Sequence, residues 1–228
     1  MAVTLFLVVA FFIYVNIYYP AGHKAKEALV SDDTVVVQPT ADGYFFDGAS
    51  TTDAFVFYPG GKVDCEAYAP LLRRIAQNGP DVFLIDMPFR LAIFDQNAAE
   101  RVMAEYEYPH WYVGGHSLGG AMAAKYAAEH GEDLDGVILL AAYPIKPLDE
   151  DLTEILIYGT RDGVINRDWL AKSRAYAPRR YIEHAIAGGN HAYFGDYGEQ
   201  KGDERALISA DFQQEEAAVL IDSCINGK

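Results

Sequence analysis

Positive charge is scarce in this chain and cysteine nearly absent. Lys and Arg number 18 against 33 Asp and Glu, a formal net charge of -15. No basic face is left to neutralise phosphates, so neither nucleic acid nor an anionic lipid surface is expected as a partner. The 2 cysteines, Cys65 and Cys224, stand far apart in sequence and belong to no Cys-x-x-Cys pair or Cys/His cluster. Metal and redox motifs have nothing to rest on, and no cofactor or metal is expected. Repeats and low-complexity tracts are missing too. What remains is a 228-residue chain, 51% apolar, long enough to bury one substantial core.

Charge is also missing from the first stretch. From Ala2 to Tyr19 only Thr4 and Asn16 interrupt the apolar run, which ends in Tyr18, Tyr19 and Pro20. At ~1.5 Å per residue such a run could just cross a bilayer core, with tyrosines at the headgroups. Residues 1–20 are therefore expected to form a retained membrane anchor with a single N-terminal span. A cleaved signal peptide and a buried or interfacial helix are the alternatives, although a basic start and a convincing cleavage site are lacking. Lys24 and Lys26 follow the run and favour a cytoplasmic domain by the positive-inside rule; two lysines leave the side of the membrane open. Residues 21–33 are polar and read as a tether, and residues 34–228 as the domain.

Within that domain short β-rich runs alternate with longer helical periodicities, as in a mainly parallel sheet with helices on both faces. Strands are predicted at 34–38, 44–47, 54–58, 82–86, 111–114, 137–141, 155–158 and 181–186. Tyr68, Leu71, Leu72 and Ile75 recur at helical spacing, with Asp64 placed to cap the start and Gly79 to end the helix. An alanine-rich helix over 118–130 carries small side chains that permit close approach to strands. Ser209 is placed to cap a last helix with Asp211, Glu215 and Glu216 in its opening turns.

Between a predicted strand and the alanine-rich helix lies Gly115-His-Ser117-Leu-Gly119. A serine on a sharp strand-to-helix turn is strained and exposed, its flanks must be glycine, and the helix behind it aims amides at developing negative charge. Ser117 is thus the candidate nucleophile. The string Gly-His-Ser-Leu-Gly-Gly resembles the nucleophile elbow of the α/β-hydrolase superfamily, and the strand and helix order is similar from about Val35 to Ile221. The compact, lidless group near the dienelactone hydrolases is nearest in pattern, although those enzymes use cysteine where Ser117 stands. The resemblance implies an α/β-hydrolase fold, a mostly parallel eight-stranded sheet with helices on both faces and no large lid.

A serine hydroxyl needs a base, and near neutral pH imidazole is the usual one. His23 falls in the tether, His110 begins a strand, His116 is inside the elbow, His130 ends a helix and His184 lies within a strand. His191 alone follows the last strand in a loop, among the glycines of Ala187-Gly-Gly-Asn-His191. The orienting acid should stand between serine and histidine in the chain. Gly159-Thr-Arg-Asp162-Gly163 supplies it, as the resembled family's Gly-x-x-Asp-Gly turn would imply; Asp149, Glu150 and Asp151 come too soon after the preceding strand. An Asp-Gly pair is also a common plain turn.

Tyr58-Pro-Gly-Gly-Lys62 follows the third strand, where the family carries His-Gly before the oxyanion-binding residue. Proline replaces that histidine here. The expected oxyanion donors are the N–H groups of Gly61 and Leu118, with Lys62 as the alternative to Gly61. Only residues 142–154 separate the sixth strand from the acid-bearing one, too few for a large lid. An open cleft lined by Phe89, Tyr143 and Phe194 is expected, core packing being the other account of these aromatics. The implied reaction is cleavage of a small ester, thioester or lactone through an acyl-enzyme, with a small-molecule acyl substrate as partner. A silent hydrolase fold used as a membrane-tethered binding module, and acyl transfer or peptide cleavage by the same triad, are the rivals. Oligomeric state is not legible.

Overall fold

An eight-stranded sheet organises the computed structural model, which describes residues 2–226. Its strands are β1 (Val36–Thr40), β2 (Gly43–Asp47), β3 (Asp53–Tyr58), β4 (Asp81–Ile85), β5 (His110–His116), β6 (Gly136–Leu140), β7 (Thr153–Gly159) and β8 (Arg180–Ile186), in the order β1-β2-β4-β3-β5-β6-β7-β8. Strand β2 pairs antiparallel with both β1 and β4, and every pairing from β4 across to β8 is parallel. Each predicted strand is present: β2, β3 and β8 run one residue longer than expected and β5 and β7 three, while β1, β4 and β6 keep their length and shift by one or two residues.

Strands β3, β4 and β6 are buried along their whole length, which is why they read as unbroken apolar runs. Side chains alternate between two cores. Phe55, Phe57, Val82, Leu84, Ile138 and Ile155 face α3 (Ala69–Asn78) and α7 (Ala210–Asn226). Val56, Phe83, Val113, Val137 and Leu156 face α4 (Ala98–Glu105), α5 (Leu118–Glu129) and α6 (Arg167–Ser173). The alanines predicted to let a helix approach closely do so: Ala123, Ala124 and Ala127 are at most 1% exposed. Pro39 sits in the edge strand β1, where a missing N–H costs little. Ser209 caps α7 as expected, its Oγ accepting from Phe212 N at 3.2 Å. Asp64 does not cap: its carboxylate accepts from Ala21 N and Arg90 Nε, and a short 3-10 turn, Cys65–Tyr68, leads into α3.

The expected membrane anchor is not borne out. Helix α1 (Ala2–Asn16) has 15 residues, about 22 Å at the α-helical rise against a hydrocarbon core of about 30 Å. Among the described residues no helix is long and apolar enough to cross a membrane. Helix α1 ends early because the chain past Asn16 pairs with the domain. Tyr19 N donates to Lys62 O at 2.8 Å, Asp64 N donates to Tyr19 O at 3.0 Å, and Tyr19 forms a parallel bridge with Val63. The anchor, the transmembrane span and the membrane partner read from hydropathy are corrected on this point. The stretch read as a tether, residues 21–33, packs against the domain. It holds α2 (His23–Ala28), whose Ala25 is fully buried with its N–H on Asp196 Oδ2 at 2.9 Å, while Arg73 donates to the carbonyls of Ala28 and Val30.

Candidate active site

Strand β5 ends at His116 and α5 begins at Leu118, so Ser117 alone makes the turn, with φ 53° and ψ -120°. That left-handed conformation costs a non-glycine residue about 1–3 kcal/mol and persists only where its surroundings enforce it. Here Ser117 N donates to Leu140 O at 2.9 Å and Ser117 O accepts from Ala121 N at 3.0 Å. The two flanking glycines follow from close approach. A Cβ on Gly115 or on Gly119 would meet the Tyr58 carbonyl oxygen at 2.2 Å, so any side chain at either position would force β3 away from the elbow.

Beyond β8, His191 begins a short 3-10 turn and is 1% exposed. Its Nδ1 lies 2.8 Å from Asp162 Oδ2, while Nε2 has no hydrogen-bond partner. Asp162 stands just past β7. Its Oδ1 accepts from Val164 N and Ile165 N, each at 2.8 Å, so both carboxylate oxygens are engaged. A buried carboxylate is tolerable when donors surround it in this way. The histidine loop is pinned from behind by Gln213 of α7, itself fully buried: Asn190 N donates to Gln213 Oε1 at 3.0 Å and Gln213 Nε2 donates to Asn190 O at 2.8 Å.

Ser117 and His191 line one cleft of about 290 Å³, together with Leu118, Ala141, Ala142, Tyr143, Ile145 and the 164–166 turn. Its walls are chiefly apolar. Gly61 lies against Leu118: a Cβ on Gly61 would meet Leu118 Cβ at 3.3 Å. Lys62 N, by contrast, already donates to Arg90 O at 2.8 Å. Of the aromatics expected along the cleft, Tyr143 lines it. Phe194 is fully buried beneath His116, with ring centroids 5.6 Å apart, and belongs to the core. Phe89 is 45% exposed and clusters with Phe11, Phe12 and Phe94. No helix occupies the interval between β6 and β7.

Sequence reasoning missed Ile145, Val164, Ile165 and Asn166 as cleft residues. The last three follow the Asp162 turn directly, so their position beyond a strand's C-terminal end was the usable signal. It also set His116 aside, although this side chain is 1% exposed and hydrogen-bonded through both ring nitrogens. Burial, and after it the neighbouring His191, holds His116 well below the ordinary histidine value. Among the described residues no three His, Cys, Asp or Glu side chains gather as a metal ion would need.

A family model described as "Alpha/beta hydrolase family" matches residues 54–215. No curated protein matches the chain. Among solved structures, a dienelactone hydrolase from Anabaena variabilis superposes with a TM-score of 0.59 at 14% identity, over 83% of this chain and 96% of that one. An esterase from Thermogutta terrifontis does so with 0.54 at 15% identity, over 84% and 92%. A bacterial membrane phospholipase A gives 0.63 at 12% identity, over 99% and 97%. At these identities the likeness speaks for the shared fold.

Proposed function

The chain belongs to the alpha/beta hydrolase family, and from that premise we propose that it is a serine hydrolase of small esters, thioesters or lactones, with Ser117 as nucleophile, His191 as base and Asp162 as orienting acid. One observation carries the reading: a buried His191–Asp162 hydrogen bond of 2.8 Å whose imidazole has its other nitrogen unpartnered, beside a cleft that the strained Ser117 also lines.

The steps balance as ordinary acyl transfer to water. By accepting a hydrogen bond from Nδ1–H, Asp162, ionised throughout, fixes the tautomer in which the Nε2 lone pair is open. As Ser117 Oγ bonds to the substrate carbonyl carbon, its proton passes to His191 Nε2 and the carbonyl oxygen becomes an oxyanion. Collapse of this intermediate breaks the bond to the leaving group, which takes the proton from His191. Water then repeats the sequence on the acyl-enzyme and releases the acid. The Gly61 and Leu118 N–H groups are the proposed oxyanion donors, each worth about 3–4 kcal/mol in the transition state. Lys62 is disfavoured because its N–H is already given to Arg90.

A cleft of about 290 Å³ with chiefly apolar walls and no helix inserted between β6 and β7 suits a short acyl group, being at the small end of ligand sites. Likeness to a dienelactone hydrolase and an esterase supports the same substrate class. Wild-type protein is expected to be labelled by a fluorophosphonate probe and Ser117→Ala to escape labelling; equal labelling of the two would remove Ser117 from the mechanism. On an ester panel, long-chain triglycerides outpacing short p-nitrophenyl esters would overturn the short-acyl assignment.

A further inference from the structure

His116, between Gly115 and Ser117, is bonded in a direction that cannot be reversed. Its Nε2 lies 3.1 Å from the His191 carbonyl oxygen, which can only accept, so Nε2 carries the ring proton. Its Nδ1 lies 2.8 Å from Tyr68 Oη. That hydroxyl oxygen accepts from Gly60 N at 3.1 Å and so gives its own proton to Nδ1. The run is therefore Gly60 N–H to Tyr68 Oη, Tyr68 O–H to His116 Nδ1, and His116 Nε2–H to His191 O, with a fixed donor at one end and a fixed acceptor at the other. Tyr68 is fully buried, and the His116 and His191 rings lie 4.5 Å apart. Gly60 directly precedes the proposed oxyanion donor Gly61, and the far end of the run is the backbone of the proposed base.

We infer that His116 is a positioning residue: held in one tautomer between Tyr68 and the His191 carbonyl, it sets the spacing between the oxyanion loop and the base. The inference rests on the hydrolase reading above. The bridge ties Gly60, next to Gly61, to the backbone of His191 itself; another tie between these segments, Asp196 N to Ala67 O at 2.7 Å, lies further along both, and apolar packing tolerates sliding where directional bonds do not. An apolar replacement would also leave the buried Tyr68 O–H without its acceptor, although its oxygen keeps the Gly60 N–H, and would take the ring N–H from the His191 carbonyl. Displacing a reacting group by about 1 Å can cost on the order of 100-fold in rate. Glutamine retains both functions, since its amide N–H can donate to the carbonyl and its oxygen can accept from the hydroxyl.

The test uses the full chain and its His116→Gln, His116→Leu and Tyr68→Phe variants, each checked for folding by thermal melting. Steady-state kinetics on a short p-nitrophenyl ester are read together with the imidazole nitrogen shifts of wild type from pH 5 to 8. His116→Leu and Tyr68→Phe are expected to lower kcat by about 10- to 100-fold with KM within about threefold. The double variant should be no worse than the poorer single one, and His116→Gln should recover most of the loss. The wild-type His116 ring should show a protonated Nε2, a bare Nδ1 and no titration in that range. A folded His116→Leu with kcat within twofold of wild type, a glutamine variant no better than leucine, or a His116 ring that titrates would each overturn the inference and leave the hydrolase reading standing. An inert, unlabelled wild type with the stated tautomer would instead overturn the hydrolase reading and reduce the bridge to a structural tie.

Discussion

Glu154 and Asp162 are carboxylates buried near opposite ends of strand β7, at 1% and 5% exposure, yet their surroundings differ sharply. Asp162, past the C-terminal end, meets two backbone N–H groups and the His191 ring. Glu154, one residue inside the N-terminal end, leaves Oε2 with no partner, and burial, reinforced by the nearby Glu183, pushes it up to about 8. At the C-terminal end the chain leaves the sheet in a tight turn that aims N–H groups inward. At the other end Glu154 lies inside the sheet, opposite Val137 of β6 and Tyr181 of β8, where backbone amides are spent on the ladder. Along this strand charge is thus held ready beyond the C-terminal end and resisted at the other, which fits the proposed site lying beyond the C-terminal ends.

The strongest way to break that contrast is Asp162→Asn. The amide oxygen can keep the Val164 and Ile165 bonds, but its NH2 would face His191 Nδ1 and force the proton onto Nε2, the wrong tautomer. We expect kcat on a p-nitrophenyl ester to fall by roughly 10³- to 10⁴-fold with little loss of stability; retention of a tenth of the activity would mean that the paired carboxylate does not orient a base. Gln213→Leu attacks the same edge through its scaffold. Leaving the Asn190 N–H and carbonyl unpaired should cost about 2–3 kcal/mol in a denaturant titration, and an unchanged midpoint would show the loop to be held by other bonds.

The opposite edge is sharpened by Glu154→Gln. Because the folded value of Glu154 lies above its ordinary 4.5, the fold favours the protonated form. The penalty is absent below about pH 4.5, grows as pH rises toward about 8 and is complete above it. Removing the charge should therefore stabilise the protein by about 2 kcal/mol at pH 9, roughly 5 °C in Tm, and hardly at all at pH 5. A gain independent of pH would point to packing instead. Smallest of all, Arg179→Ala removes ion pairs to Glu150 and Asp151 that are 70% or more exposed on every side chain. Its effect should stay under about 0.5 kcal/mol, and a larger one would make this edge more dependent on charge than the contrast allows.

Some of this arrangement could be read directly along the chain. Gly115 and Gly119 around Ser117 announce a turn in which side chains would strike Tyr58, and the apolar runs of β3, β4 and β6 announce strands covered on both faces. The Gly159 to Gly163 turn marked Asp162, and the glycines before His191 marked a loop free to carry it. Other features were hidden because they depend on distant partners. Hydropathy over residues 2–19 predicted a span, but Tyr19 is drawn onto Lys62 and Val63 by backbone bonds that no local pattern encodes. Phe194 and Tyr143 are equivalent as aromatics beyond strand ends; one is roofed over by His116 and the other lines the cleft.

Period, turn chemistry and chain order were sufficient for the strands, the elbow and the identity of the three candidate side chains, since each depends on residues within a few positions of one another. Spacing and electrostatics were not. The 2.8 Å approach of His191 to Asp162, the tautomer of His116 and the raised value of Glu154 arise from groups many residues apart in the chain, and hydrogen bonding and desolvation act through space rather than along the backbone.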